Sequence, residues 1–300
     1  MKQVSTFLTS RKVAPYVFLI PFMTLFVLFK VWPAVLAVYM SFQDAQGVRS
    51  ETWEWVGLAN YANVLSNARF QTALRVTTSY TIGTLLVLVP LPLVLAAMLD
   101  SGRVVKSTFF RVVLFLPALT SLVVAGTIFR IILSRTGLLN AALEATLGIP
   151  PRRWLEVADL TLPSLIMIAA WRWTGINILY FNSGLVNIPR ELYEAAAIDG
   201  ANGVQIFFRI TLPLLKPITF FVTILTIIGG YQVFVEPFVL YTTGNSPGNS
   251  GLTVALHLYR TAFRDFYLGP AAAMGVILAL IICALSLLQF RFFGVFKKEA

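Results

Sequence analysis

GPAAAMGVILALIICALSLLQF, residues 269–290, carries no charged side chain and only one proline, at its second position. A helix of that length rises about 33 Å, enough to cross the roughly 30 Å of hydrocarbon in a bilayer. Five more apolar runs precede it, at residues 13–42, 74–99, 109–133, 162–186 and 214–241. Together they predict an all-α integral membrane protein with about six transmembrane helices. Composition agrees: 58% of the 300 residues are hydrophobic and 12% charged, where a soluble domain carries about 25% charge. Side chains this apolar cannot all be hidden in one core, so the surrounding solvent must itself be apolar, and membrane lipid is the first predicted partner.

The connections set the orientation. Twelve Lys and Arg residues fall in the N-terminal tail, the second and fourth connections and the C-terminus, against seven in the alternate loops. Positive loops remain in the cytoplasm, so both termini are placed there. Residues 1–12 and 295–300 become short cytoplasmic tails around one transmembrane domain, residues 13–294. The first run is too long for a removable signal peptide and is taken as a retained anchor helix. The net charge of +10 is spread between the apolar runs, not gathered in one block, and predicts no nucleic-acid partner. A single cysteine, Cys283, and a single histidine, His257, exclude disulfide frameworks and His/Cys metal sites by count. His257 is expected in solvent and Cys283 packed within the last span. Residues 43–71 and 134–161 suggest interfacial helices and turns, with Trp53, Trp55 and Trp154 as anchors. Prolines 90, 92, 117, 217 and 237 favour kinks, which a bilayer protein tolerates when neighbours satisfy the freed carbonyls.

Between the fourth and fifth spans, residues 187–213 are longer than a simple connection and strongly punctuated. Pro189 suits a first helical turn, Ala195 to Ala197 favour helix, and Gly200 suits the left-handed residue after a helix end. Asn202 can cap a second helix that ends before Pro213. Leu192, Ala195, Ala196 and Asp199 share one side of the first helix, and the second carries Val204, Phe207, Phe208 and Ile210. Apolar side chains on two short cytoplasmic helices suit either the membrane interface or a groove on a partner.

Glu194-Ala195-Ala196, three residues, Gly200, nine residues and Ile210-Thr211-Leu212-Pro213 resemble the EAA motif of binding-protein-dependent ABC transporter permeases, and Asp199-Gly200-Ala201 has the usual form. Trp55-Val56-Gly57-Leu58-Ala59-Asn60-Tyr61, Trp171 to Gly175, Tyr231 to Phe238 and Tyr259 to Phe263 are similar to the sugar-type branch, the maltose-type inner-membrane component family. Arg75-Val76-Thr77 and Thr243-Gly244-Asn245-Ser246-Pro247 depart from the usual Asn-Thr pair and Gly-Gly-Pro turn. The resemblance implies a complex of this chain with a second related permease, two ATPase subunits and an extracytoplasmic solute-binding protein that delivers a sugar or oligosaccharide. In that family the EAA segment is a coupling helix docked on the ATPase, which assigns ATPase coupling to Glu194, Ala195, Ala196, Asp199, Gly200, Ile210, Leu212 and Pro213. Residues 102–107 lack the glycine that must precede the lysine of a Walker A loop, since Val105 precedes Lys106. The chain is therefore expected to be no enzyme and to hold no cofactor, with ATP and Mg on the partner ATPases. Glycerol phosphate is the alternative substrate within the same family.

For the substrate path, Trp173, Asn177, Tyr180 and Gly184 fall on one helix face and carry an indole, an amide and a phenol. Sugars bind through such groups, with aromatic faces against C–H and amides or carboxylates against hydroxyls. Gly229, Gln232 and Glu236 share a face of the fifth span, and a carboxylate or amide facing lipid would be costly. The competing reading is that Trp173 and Tyr180 pack between helices and Glu236 reaches the interface or pairs with a basic neighbour. An ion-coupled secondary transporter would need more ionisable groups at mid-membrane than the single Glu236, and an intramembrane enzyme would need a catalytic cluster that the sequence lacks.

Overall fold

The computed structural model describes residues 14–47, 53–101, 104–241 and 245–293. The two predicted tails, along with Thr243 and Gly244, lie outside them. Among the described residues every regular element is helical, apart from two isolated bridges, Gln43 with Trp55 and Gln46 with Tyr267. Five helices are long and apolar enough to cross a membrane among these residues, and a sixth crossing requires a helix pair bent by 100°. The chain divides into two compact units, residues 1–66 with 258–277 and residues 67–257 with 278–300.

The first unit holds helix α1 (Pro15–Met40) and α2 (Ala59–Ser66). None of the described side chains of α1 is buried. Val27–Val31 of α1 takes the wider π form, with the Trp32 amide donating to the Val27 carbonyl. Two residues later comes Pro33, which has no amide hydrogen to offer the Phe29 carbonyl and whose ring would crowd it. Widening the turn relieves that crowding. After α1 the chain is tied by Asn60, whose amide nitrogen donates to the carbonyls of Ser41 and Gln43 at 3.0 and 2.8 Å. The Tyr61 hydroxyl bonds to Ser41 Oγ at 2.6 Å. Gly269 leaves no room for a Cβ against the Gln43 carbonyl.

The second unit runs α3 (Ala68–Leu88), α4 (Pro90–Asp100), α5 (Ser107–Phe115), α6 (Leu122–Ile132), α7 (Leu138–Leu147) and α8 (Ala158–Leu185). It continues through α9 (Arg190–Ile198), α10 (Gly203–Leu214), α11 (Lys216–Tyr231), α12 (Val235–Leu240) and the first turn of α13 (Val254–Phe263), and closes with the second half of α14 (Leu268–Phe293); the rest of α13 and the first part of α14 belong to the first unit. Helix α8 organises the packing. Its first half gives Leu165, Ile168 and Ala169 to a cluster with Tyr80, Phe129 and Val233. Its second half gives Ile178, Phe181 and Leu185 to a cluster with Leu93, Leu215 and Val222. Being apolar on several sides, it sits among α3, α4, α6 and α11 and not at one edge.

Three differences from the sequence reading have local causes. The third apolar run is not one helix but α5, a 3₁₀ turn at Leu116–Leu119 that contains Pro117, and then α6. Trp154 is half-buried against the α8 cluster and its indole N–H donates to Asn140 Oδ1 at 2.9 Å, so it is not a free interfacial anchor. Asn140 also donates to the carbonyls of Ser134, Arg135 and Arg152, which pins the loop that precedes α8. His257 is buried in α13 at 6% exposure, whereas Cys283 lies on the exposed side of α14.

Candidate coupling segment and translocation path

Residues 190–214 form a helix, a tight reversal and a second helix. Pro189 is the residue before α9 and not within its first turn. At the other end, the Gly200 amide donates to the Ala197 carbonyl at 3.1 Å and Ala201 to Ala196 at 2.9 Å, with Gly200 at φ +74°. This is the Schellman arrangement, which needs a left-handed residue and so favours glycine. Asn202 and Gln205 then form a reciprocal capping box at the start of α10. Helix α10 does not stop before Pro213. Phe207–Thr211 widens into a π turn, Leu212 donates to the Phe207 carbonyl, and the helix runs on through Pro213. The proline again follows a π turn by two residues, as Pro33 does in α1, and for the same steric reason.

The two helices are joined by Tyr193, whose hydroxyl lies 3.3 Å from Thr211 Oγ1, and by Tyr193, Phe207 and Leu212 packing on the second α8 cluster. Glu194, Ala195, Asp199, Gly200 and Pro213 are exposed, while Ala196, Ile210 and Leu212 are half-buried. Leu192, Ile198, Val204 and Phe208 stand exposed beside them, Ile198 at 87%. The segment thus presents acidic groups and unburied apolar side chains on a rigidly capped frame.

The residues read as a path divide in the structure. Trp173 is 37% exposed, with the Arg172 guanidinium 5.3 Å from its ring centroid. Tyr180 is half-buried and meets Phe221 edge-on at 5.2 Å. Asn177 is buried, and its Nδ2 donates to the Leu88 carbonyl at 2.8 Å. Leu88 is the residue whose helical donor is missing because Pro92 has no N–H, so Asn177 caps a carbonyl orphaned by a proline. Gly184 is closed off, since a Cβ there would lie 2.7 Å from Ile218 and Leu215 side-chain atoms.

Gln232 and Glu236 do not share one helical face. The fifth span breaks after Tyr231 and resumes at Val235. Pro237 withholds the donor that Val233 would otherwise receive, and Thr253 Oγ1 supplies it at 2.8 Å. The break leaves Gly229 and Gln232 exposed, with open space where a Gly229 Cβ would be, and buries Glu236 to 6% exposure. Glu236 is within electrostatic reach of Arg172.

Arg172 has a definite partner. Its guanidinium donates to the Thr120 carbonyl at the break between α5 and α6. Gly175, one turn further along α8, lets the α5 backbone approach: a Cβ there would collide with the Leu114 carbonyl and lie 2.7 Å from Phe115 Cα. On the far side of the break, Gly126 of α6 leaves space for Val239 of α12. Breaks in the second, third and fifth spans are therefore each satisfied by a side chain distant in sequence.

Residues 88–294 match the family model for the binding-protein-dependent transport system inner membrane component. The chain belongs to that family. A relative from Halalkalibacterium halodurans, an arabinooligosaccharides transport system permease protein, AraP, is 46% identical over 98% of this chain and 92% of its own. The Bacillus subtilis protein of the same name is 44% identical over 97% and 91%. The sn-glycerol-3-phosphate transport system permease protein UgpA of Agrobacterium fabrum is 36% identical over 94% and 95%. The crystal structure of a bacterial ABC transporter involved in import of the acidic polysaccharide alginate contains a chain that matches with TM-score 0.82 at 22% identity, over 96% of this permease and 97% of that chain. That last likeness establishes the fold.

The matched region takes in the permease's entire punctuated segment and the three side-chain caps, Asn177, Arg172 and Thr253. At Leu88 and Val233 a proline four residues on marks where a cap is needed, whereas Thr120 has no such mark; nothing local shows which distant side chain provides any of the three.

Proposed function

We propose that this permease imports an oligosaccharide, with an arabino-oligosaccharide as the first candidate, as one half of a pair with a second related permease. Two ATPase subunits carrying ATP and Mg drive the pair, and an extracytoplasmic solute-binding protein delivers the sugar. The observation that carries this reading is the 46% identity along 98% of the chain to an arabinooligosaccharide permease. A second neighbour in structure, again at 22% identity, is an alginate transporter in complex with its pentasaccharide-bound periplasmic protein. In this reading residues 187–213 couple to the ATPase. Glu194 and Asp199 supply polar contacts, and Ala195 and Ala196 allow close approach. Gly200 sets the reversal, while Ile210, Leu212 and Pro213 hold the second helix on the membrane domain.

Trp173, Tyr180 and Gln232 are the path residues, since each keeps exposed surface. Asn177 and Glu236 act behind them, Asn177 by holding the break at Leu88 and Glu236 by offsetting the Arg172 charge. Glycerol phosphate, named for a relative at 36% identity, is the alternative substrate. Trp173→Ala and Gln232→Ala are expected to raise the substrate concentration for half-maximal uptake about five-fold or more, the loss of roughly one neutral hydrogen bond or stacking contact. Uptake and substrate-stimulated ATPase in assembled complexes measure it; unchanged concentration dependence in both variants removes this face from the path.

The orientation proposed from the charge count places both termini in the cytoplasm. Reporter fusions after Ser66 and Asn249 are expected to report the outside and fusions after Asp100 and Ala201 the cytoplasm. The inverse pattern contradicts it.

A further inference from the structure

Lys30 is the only ionisable residue well inside α1, about 4 Å along the axis from the helix midpoint. A centred span leaves it on the order of 11 Å short of the nearer interface. A cation at that depth in lipid is costly and as a rule faces protein or a cavity, not lipid. Among the described residues no carboxylate pairs with it, and it is exposed on the helix surface. Beside it runs a groove of about 690 Å³, lined among others by Phe26, Lys30, Val35, Tyr39, Phe42 and Trp55. Trp55 stacks on Phe42 at 5.4 Å and packs against Tyr39 at 6.0 Å, which fixes one end of the groove. Lys30 is the only charged residue among its described lining.

We propose that this groove seats a transmembrane helix of the second permease, and that the helix presents an aspartate or glutamate to Lys30 at mid-membrane depth. The proposal rests on the paired-permease reading above. Charge complementarity selects the occupant. Lipid tails offer no anion at this depth, and headgroup phosphates lie at the interface. A second copy of this chain does not fit either: the only carboxylate inside its described spans away from their ends is Glu236, which is buried in its own unit. The acid must come from a different chain. Such a pair would fix partner and register, because an acid without its lysine, or the lysine without its acid, is left uncompensated in a medium of low dielectric.

The test uses the complete complex, extracted from membranes through a tag on this chain and treated with dicyclohexylcarbodiimide. The reagent enters apolar regions and activates a carboxyl group as its O-acylisourea. The Lys30 amine then attacks the acyl carbon, an amide forms, and dicyclohexylurea leaves with the oxygen. The expected result is an amide-linked species in which the Lys30 peptide is joined to an acidic peptide of the second permease. Lys30→Met, at matched membrane abundance, is expected to lose that species and to retain at least ten-fold less of the second permease, as when one partner of a buried pair is removed. Lys30→Arg cannot form the amide but is expected to retain the partner. Co-purification of the second permease with Lys30 unlinked and Lys30→Met retention unchanged overturns the proposal, as does linkage to a lipid or to a second copy of this chain. If no second permease accompanies the wild-type chain, the paired reading fails first and takes this surface with it.

Discussion

A Gly200→Val permease is expected to reach the membrane in near-normal amount and to import at no more than about a tenth of the normal rate. Gly200 sits at φ +74° with nothing within 4 Å of where a Cβ would be. The substitution therefore makes no clash inside the chain, and its cost is the backbone strain of a β-branched residue in the left-handed region, about 1–2 kcal/mol. That strain is relieved most directly by giving up the Gly200–Ala197 and Ala201–Ala196 bonds, which re-aims α9 relative to α10. If this reversal docks on the ATPase, coupling is lost before folding is. Gly200→Asn, which tolerates the left-handed region, should keep most of the activity. Recovery of the ATPase with the tagged permease, measured beside uptake, checks both variants. Equal uptake by wild type and Gly200→Val at equal abundance contradicts the assigned role.

Gly175→Val is expected to act in the opposite way, removing the protein and not merely its activity. A Cβ at Gly175 meets the Leu114 carbonyl and the Phe115 backbone, and backbone cannot rotate aside as a flexible side chain can. The α5 break would have to move off α8, taking the Thr120 carbonyl away from Arg172. Overpacking of this kind, compounded by unsatisfied polar groups, costs about 3 kcal/mol or more. The expected measurements are a several-fold drop in membrane abundance and a lowered Tm in detergent. Gly229→Ala is the matched control, because it faces open space and should leave both unchanged.

These two glycines also show what was legible in the sequence. Gly200 is recognisable because its neighbours are the evidence: alanines before it, Asn202 after it, and hydrogen bonds between residues only three and five apart. The membrane spans are legible for a similar reason, since apolar length is a local property. Gly175 is visible only as part of a family resemblance, because the atoms that forbid a side chain there belong to Leu114 and Phe115, far away in sequence. Asn177 illustrates the limit more sharply. Spacing places it on a face with Trp173 and Tyr180 and suggests a sugar ligand, yet Pro92 leaves the Leu88 carbonyl without its donor and the amide turns inward to cap it. Gln232 and Glu236 appear adjacent only if the helix is continuous. Pro237 and the Gly229-Gly230 pair were the signal that it is not. His257, expected in solvent, is instead buried within helix α13.

The most direct test of the account is ATP-dependent uptake of a radiolabelled arabino-oligosaccharide into proteoliposomes. These would hold this permease with its co-purified membrane partner and ATPases, with the solute-binding protein added outside. The account predicts accumulation that requires ATP, the binding protein and the sugar's own dissociation range, and that is not competed by sn-glycerol-3-phosphate. Uptake driven by an ion gradient without ATP, or accumulation of sn-glycerol-3-phosphate in place of the oligosaccharide, would contradict it.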